Sequence, residues 1–342
     1  MAWVEPKYTR PEVNRAGRVL ISVTASENER EEALQIINNW RASHSFPLNT
    51  FRQTLRNKAR KVDAECLVAQ RIKRLSSIAY KLRRFPTMNL AQMQDIGGCR
   101  VVVSNVSRVR ALRRLYDDSD LKHHLARIDD YIAQPKPSGY RSIHLIYRYR
   151  SDRKETYNGL QIEMQLRSQL QHAWATAVET VGTFLEQPLK ASRGPGDWLR
   201  FLTLMGSAIA LRERTPIVPA TPTSKAGLVQ EIREYATRLD VEKMLRGYGT
   251  TLQALEMPKF KTARYFLLDL RPSEGKLTVT GFNGADLDQA TTAYLDVEKS
   301  LQGPGSEAVL VSVESVESLR RAYPNYFLDT EVFLDAMRRA IS

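Results

Sequence analysis

Between residues 96 and 185 the hydrophobic pattern changes period more than once, and this switching restricts the chain to a narrow class of folds. Residues 99–103 are a short apolar run with three consecutive valines, read as a buried strand by length and β-branching. Residues 108–116 carry a helical stripe, and residues 124–133 a weaker strand pattern. After the turn cluster at 135–139, residues 142–149 read as a strand rich in Ile and Tyr. Tyr157-Asn158-Gly159 supplies a turn, and residues 160–166 alternate as the next strand. Alternation then yields to a helix with Leu170, Trp174, Ala177, Val181 and Phe184 on one face. Strands interleaved with helices predict an α/β (α+β) fold, a mixed β-sheet flanked by helices.

The flanks fill out the plan. Residues 1–24 show little periodicity and are expected to be an irregular lead-in. Residues 26–40 read as a helix opened by a capping Ser26. Pro47 interrupts the pattern, which resumes over 51–82 as one or two long helices. A helix over 198–211 completes a domain at 25–213. Residues 214–225 hold three prolines, three threonines and a serine, the composition of a linker. Beyond it, 226–342 reads as a connecting helix over 228–255 and then a small ββαβα module, with a last helix at 330–341.

With 342 residues, 42% of them hydrophobic, the chain can bury an ordinary core. Two cysteines, Cys66 and Cys99, exclude a disulfide framework or a four-thiolate zinc site. The longest apolar stretch, 202–211, is too short to span a bilayer, and the first residues lack the apolar core of a secretory signal. A cytoplasmic location is expected. The net charge is +13, unevenly spread: residues 260–342 hold 9 basic and 12 acidic residues, net −3, which leaves +16 on 1–259. A basic body with a slightly acidic tail fits a polyanionic ligand, a nucleotide or RNA, as well as simple solubility.

Four segments carry residue types suited to phosphate or metal. Arg71, Lys73, Arg74 and Lys81 fall within three helical turns with no acidic residue among them, and Ser77 lies between. They form either a triphosphate grip or a solvated basic face. Asp95-Ile96-Gly97-Gly98 places a carboxylate at the entrance of a buried strand, a position for a divalent cation or an ordinary turn. Lys136-Pro137-Ser138-Gly139-Tyr140-Arg141-Ser142-Ile143-His144 is a stiff turn. It presents Tyr140 either to a nucleobase or to the core. In residues 160–167, alternation puts Glu163, Gln165 and Arg167 on one strand face, opposite Ile162, Met164 and Leu166. Glu163 near Asp95 would give two carboxylates for one magnesium, or a ligand and a general base.

In order and spacing these segments resemble the synthetase domain of the RelA/SpoT alarmone synthetases over about residues 50–185. The resemblance implies a nucleotidyltransferase-like fold. It also implies a pyrophosphokinase, which moves the β,γ-pyrophosphate of ATP to the 3′-hydroxyl of an acceptor nucleotide, GDP or GTP. It assigns Arg71, Lys73, Ser77, Lys81 and Arg100 to ATP, and Asp95 and Glu163 to Mg2+, with Glu163 activating the hydroxyl. Tyr140 would stack on the acceptor base, and Lys136, Arg141, His144 and Gln165 would position the acceptor. Two departures stand out. Residues 1–70 contain only His44 and no His-Asp pair of the hydrolase type, and after Trp174-Ala175 the chain has Glu179-Thr180 where small members carry Glu-His one position earlier.

An alternative is a toxin of the same fold, acting on the tRNA 3′-CCA end or on adenine nucleotides and fused to an inhibitory tail. A catalytically dead RNA-binding relative is disfavoured by the presence of both carboxylates and the cations. Residues 260–342 have no histidine and no cluster of metal-type ligands, so the tail is expected to regulate, through a protein trigger or by docking on the body. Ala322-Tyr323-Pro324-Asn325-Tyr326-Phe327 is its candidate docking edge, or else part of its own core.

Overall fold

The computed structural model describes residues 3–185, 195–251, 253–254, 263–301, 306–313, 315–327 and 329–342. Regular structure begins earlier than the sequence pattern suggests. The lead-in expected to be irregular contains α1 (Arg10–Ile21). Thr9 explains its start: its backbone N–H and its hydroxyl both donate to Glu12 Oε2, at 2.7 and 2.6 Å. Pro11 sits in the first turn, where a missing N–H is tolerated, and Val13 and Ala16 are buried.

α2 (Glu27–Ser43) opens on Ser26, whose hydroxyl accepts from Glu29 N. α3 (Ser45–Val62) has Pro47 in its first turn, so that proline begins a helix rather than ending one. The helices expected over 51–82 are divided by β1 (Leu67–Ile72), after which comes α4 (Leu75–Arg84). A short apolar run such as Leu67-Val68-Ala69 suits either state. Here antiparallel pairing with the valines of β2 (Gly97–Val103) decides it.

α5 (Val106–Asp117), β3 (His124–Asp130), β4 (Ile143–Arg148), β5 (Gln161–Ser168) and α6 (Gln169–Leu185) follow the sequence pattern closely. α7 (Pro195–Arg212) leads into residues 213–224, which carry neither helix nor strand. The helix expected over 228–255 is two, α8 (Lys225–Arg238) and α9 (Val241–Thr251), broken where Asp240 takes φ 48°. The tail continues with β6 (Gln253–Ala254), β7 (Ala263–Arg271), β8 (Lys276–Asn283), α10 (Leu287–Ser300), β9 (Glu307–Ser312), α11 (Val316–Ala322) and α12 (Glu331–Ile341). The expected ββαβα order is present.

The strands form one mixed sheet in the order β3-β4-β5-β2-β1-β9-β7-β8-β6. β2 and β5 run parallel, which sets Gly98 beside Glu163 and Arg100 beside Gln165. β9 pairs with β1 through Gln70↔Ser312 and Arg71↔Val311, so the tail's strands extend the body's sheet. The helices are shared too. Trp174 and Phe201 of α6 and α7 lie in one core with Leu228, Ile232, Phe333 and Leu334 of α8 and α12. The proline-rich stretch is a loop, and the elements on its two sides are packed together.

Candidate active site

The end of β1, the start of β2 and one face of β5 converge on a cavity of about 90 Å³ lined by Arg71, Asp95, Arg100, Glu163, Arg167 and Tyr323. The cations do not share one helix as their spacing suggests. Arg71 is on β1, Lys73 lies in the β1–α4 connection, and only Ser77 and Lys81 belong to α4. They converge all the same. The backbone N–H of Lys73 donates to Ile96 O at 2.8 Å, which ties this connection to the start of β2. Lys73 Nζ then reaches Asp95 Oδ2 at 2.6 Å, and Lys81 Nζ reaches Asp95 Oδ1 at 3.0 Å. Burial alone would raise the Asp95 carboxyl, but the two ammonium groups outweigh it and hold the pKa at about 2. Gly97 permits the close approach: a Cβ there would stand 2.7 Å from Ile162 Cδ1.

Strand alternation turns Glu163, Gln165 and Arg167 to the cavity, as expected. Glu163 Oε1 lies 2.8 Å from His144 Nδ1, and Glu163 Oε2 accepts from Gln165 Nε2 at 2.7 Å. An ionised carboxylate can only accept, so His144 Nδ1 carries a proton. His144 Nε2 is 2.6 Å from the Tyr140 hydroxyl, which in turn accepts from Arg167 Nη2 at 2.8 Å. With Nε2 unprotonated, a directed chain runs from Arg167 through Tyr140 and His144 to Glu163. Burial pushes the Glu163 carboxyl up, while the hydrogen bonds from His144 and Gln165 help to bring it net below its ordinary value. Both carboxylates are therefore ionised at neutral pH.

Tyr140 and His144 reach the site together, and Lys136 Nζ stands 5.3 Å from the centre of the Tyr140 ring. Arg141 does not join them. Alternation along the chain turns it to the opposite side, where it is 2% exposed and donates to Pro216 O at 2.5 Å and Ile132 O at 3.4 Å. Its role is to anchor the 213–224 loop, and the acceptor-positioning role expected for it is corrected. The cation beside Tyr140 is Arg167, whose guanidinium stands 5.2 Å from the ring centre. The same alternation that marked Glu163 and Gln165 marks Arg167, and excludes Arg141.

The tail closes the other side. Arg100 stands 5.2 Å from the centre of the Tyr323 ring and donates to Ala322 O. The Tyr323 hydroxyl donates to Gln70 O at 3.1 Å. Arg74 donates to the Tyr326 hydroxyl at 3.2 Å and pairs with Glu307. Glu298 of α10 accepts from Leu75 N, the first residue of α4, at 3.0 Å, and from Arg41 at 2.9 Å. Burial, with the like charge of Arg167 adding to it, pulls Arg100 down to about 10.

Magnesium keeps several waters and takes one or two carboxylates together with substrate phosphates, so the ionised pair Asp95 and Glu163 fits it. Among the described residues no three His, Cys, Asp or Glu side chains gather as an all-protein metal cage, and no helix is long and apolar enough to cross a membrane.

Residues 70–182, the motif-bearing stretch, match the region found in RelA / SpoT proteins. Two curated relatives come from Bacillus subtilis (strain 168). GTP pyrophosphokinase YjbM is 34% identical over 112 residues, covering 32% of this chain and 52% of the relative. GTP pyrophosphokinase YwaC is 31% identical over 112 residues, covering 31% and 52%. The chain thus spans about half the length of the curated relatives it matches. The solved small alarmone synthetase 1 from Bacillus subtilis bound to its product pppGpp aligns with a TM-score of 0.44 and 20% identity, over 54% of this chain and 94% of that one.

Proposed function

We propose that the chain is an ATP-dependent pyrophosphokinase that transfers the β,γ-pyrophosphate of ATP to the 3′-hydroxyl of a guanine nucleotide, GDP or GTP. The observation that carries this is the convergence on one cavity of Asp95, with its two lysines, and Glu163, with its histidine. Arg71, Lys73, Ser77, Lys81 and Arg100 bind ATP. Tyr140, Lys136, His144 and Gln165 hold the acceptor. Glu163 accepts the proton of the 3′-hydroxyl, and its bonds to His144 and Gln165 fix its orientation. When bound by Asp95 and Glu163, Mg2+ supplies charge neutralisation on the phosphates. Transfer of this kind depends on in-line positioning and charge compensation, with little covalent help from protein. The names of the curated relatives support the guanine acceptor.

A second reading is that of a self-inhibited toxin of this fold, acting on the tRNA 3′-CCA end or on adenine nucleotides. The contacts of Tyr323, Tyr326, Glu307 and Glu298 with Arg100, Arg74 and the start of α4 favour its self-inhibition component. In them, the Tyr323 ring lies against the Arg100 guanidinium, the Tyr326 hydroxyl and Glu307 engage Arg74, and the Glu298 carboxylate stands at the N-terminal end of α4, contacts of the kinds ATP would make. On this account 214–225 separates functions, body from regulatory tail, within one packed molecule, and a protein partner releases the tail. The experiment is incubation with γ-labelled ATP and, in turn, GDP, GTP, ATP and bulk tRNA. Label on GDP or GTP supports the guanine acceptor, label on tRNA or ATP supports the second reading, and label on none refutes the activity.

A further inference from the structure

Arg167 is buried, at 5% exposure, yet its hydrogen-bonding capacity is only partly used. Nη2 donates to the Tyr140 hydroxyl and, at 2.7 Å, to Gln165 Oε1. Nε and Nη1 are buried without a hydrogen-bond partner, and so is Nε of Arg100. Both guanidinium groups line the same cavity as Asp95 and Glu163. Buried N–H groups are almost always satisfied, and leaving a charged donor unpaired costs more than leaving a neutral one. Arg167, with two unspent donors and the like charge of Arg100 beside it, suits an anion with several acceptor oxygens, while the Glu179 carboxylate that lines the same cavity offsets part of the charge of Arg100. Phosphate is the group that arginine matches best in charge and donor number.

The neighbours of Arg167 say which phosphate. It is bound to Tyr140 and Gln165, the residues on the acceptor side, whereas Lys73 and Lys81 on the other side are engaged by Asp95. We propose that Arg167 binds a phosphate of the acceptor nucleotide, on the side of the cavity that the buried Arg141 does not reach. This rests on the pyrophosphokinase reading.

The test compares GDP with guanosine as acceptors in the full chain carrying Tyr323→Ala, with Arg167, Arg167→Gln or Arg167→Lys. Hydrogen bonds to charged groups are worth ~1.5–3 kcal/mol, so Arg167→Gln should raise KM for GDP roughly ten- to a hundredfold. KM for ATP should hold, guanosine use should fall far less than GDP use because guanosine lacks the phosphate, and Arg167→Lys should recover part of the GDP preference. A merely structural loss of the Tyr140 anchor would lower GDP and guanosine use alike, and would overturn the proposal. So would a rise in KM for ATP alone, which would move Arg167 to the donor side, or an unchanged preference for GDP. If Arg167→Gln fails to fold, Arg167→Lys should weaken GDP use more than guanosine use, and a GDP preference fully retained in it overturns the proposal. Absence of transfer to either acceptor with Arg167 in place refutes instead the pyrophosphokinase reading beneath it.

Discussion

Truncating Tyr323 should open the proposed nucleotide cleft. The side chain is 2% exposed, its ring faces the Arg100 guanidinium at 5.2 Å, and its hydroxyl donates to Gln70 O at 3.1 Å. Removing a buried aromatic side chain costs about 3–5 kcal/mol, here charged to the docked arrangement of residues 322–327. At ~1.4 kcal/mol per factor of ten, the balance between docked and released segment moves roughly a hundred- to a thousandfold or more. Apparent affinity for ATP rises by that factor until it reaches the open cleft's own value. Tyr323→Phe keeps the ring and loses one hydrogen bond, about 1 kcal/mol, so its effect should be about fivefold. The assay is titration of the full-length variants with a non-hydrolysable ATP analogue, alongside circular dichroism to establish that they are folded. Folded Tyr323→Ala protein that binds the analogue no more tightly than the parent chain would refute the argument. Weaker binding would make Tyr323 part of the nucleotide site rather than its obstruction.

Asp95→Asn and Glu163→Gln should each lower pyrophosphate transfer by more than roughly a hundredfold with the fold intact, measured as label transfer from ATP; full activity in either folded variant would remove it from the reaction. Tyr140→Ala should raise KM for the acceptor roughly ten- to a hundredfold, the worth of a base stacked on an aromatic ring, with analogue binding unchanged. Asp95 also makes a stability prediction. Its pKa, depressed to about 2, contributes stability that is present above the ordinary carboxylate range and lost as pH falls from about 4 through 2. A shift of nearly two units corresponds to about 2 kcal/mol. Urea denaturation should therefore show Asp95→Asn less stable than the parent at pH 7, with the gap closing by pH 2; a gap independent of pH would contradict the ion-pair account.

Much of the fold was legible because its central strands alternate cleanly and its helices carry clear stripes. β1 was hidden. Its apolar part is three residues long and runs directly into Arg71, Lys73 and Arg74, so local pattern gave no reason to end one helix and begin another. Its state depends on β2 and β9 on either side, and β9 lies more than two hundred residues away. Such pairing has no local signature. In the site, Asp95, Lys73, Lys81, Glu163, His144 and Tyr140 come together where their motifs suggest. Arg141 was assigned by motif membership although period-two alternation turns it away from Tyr140 and His144, and Arg167 was passed over although the same rule marks it. The aromatic run at 322–327 was visible as a docking edge, but not what it docks on. That follows from the tail's sheet being continuous with the body's.

The central claim is the transfer of an intact pyrophosphate, and product stoichiometry tests it most directly. The Tyr323→Ala chain is incubated with ATP, GDP and Mg2+, and the nucleotides are resolved and quantified. The account predicts AMP and a 3′-pyrophosphorylated guanine nucleotide in equal amounts, with neither formed when Glu163 is replaced by Gln. ADP in place of AMP, or AMP with free pyrophosphate and no modified acceptor, would contradict it.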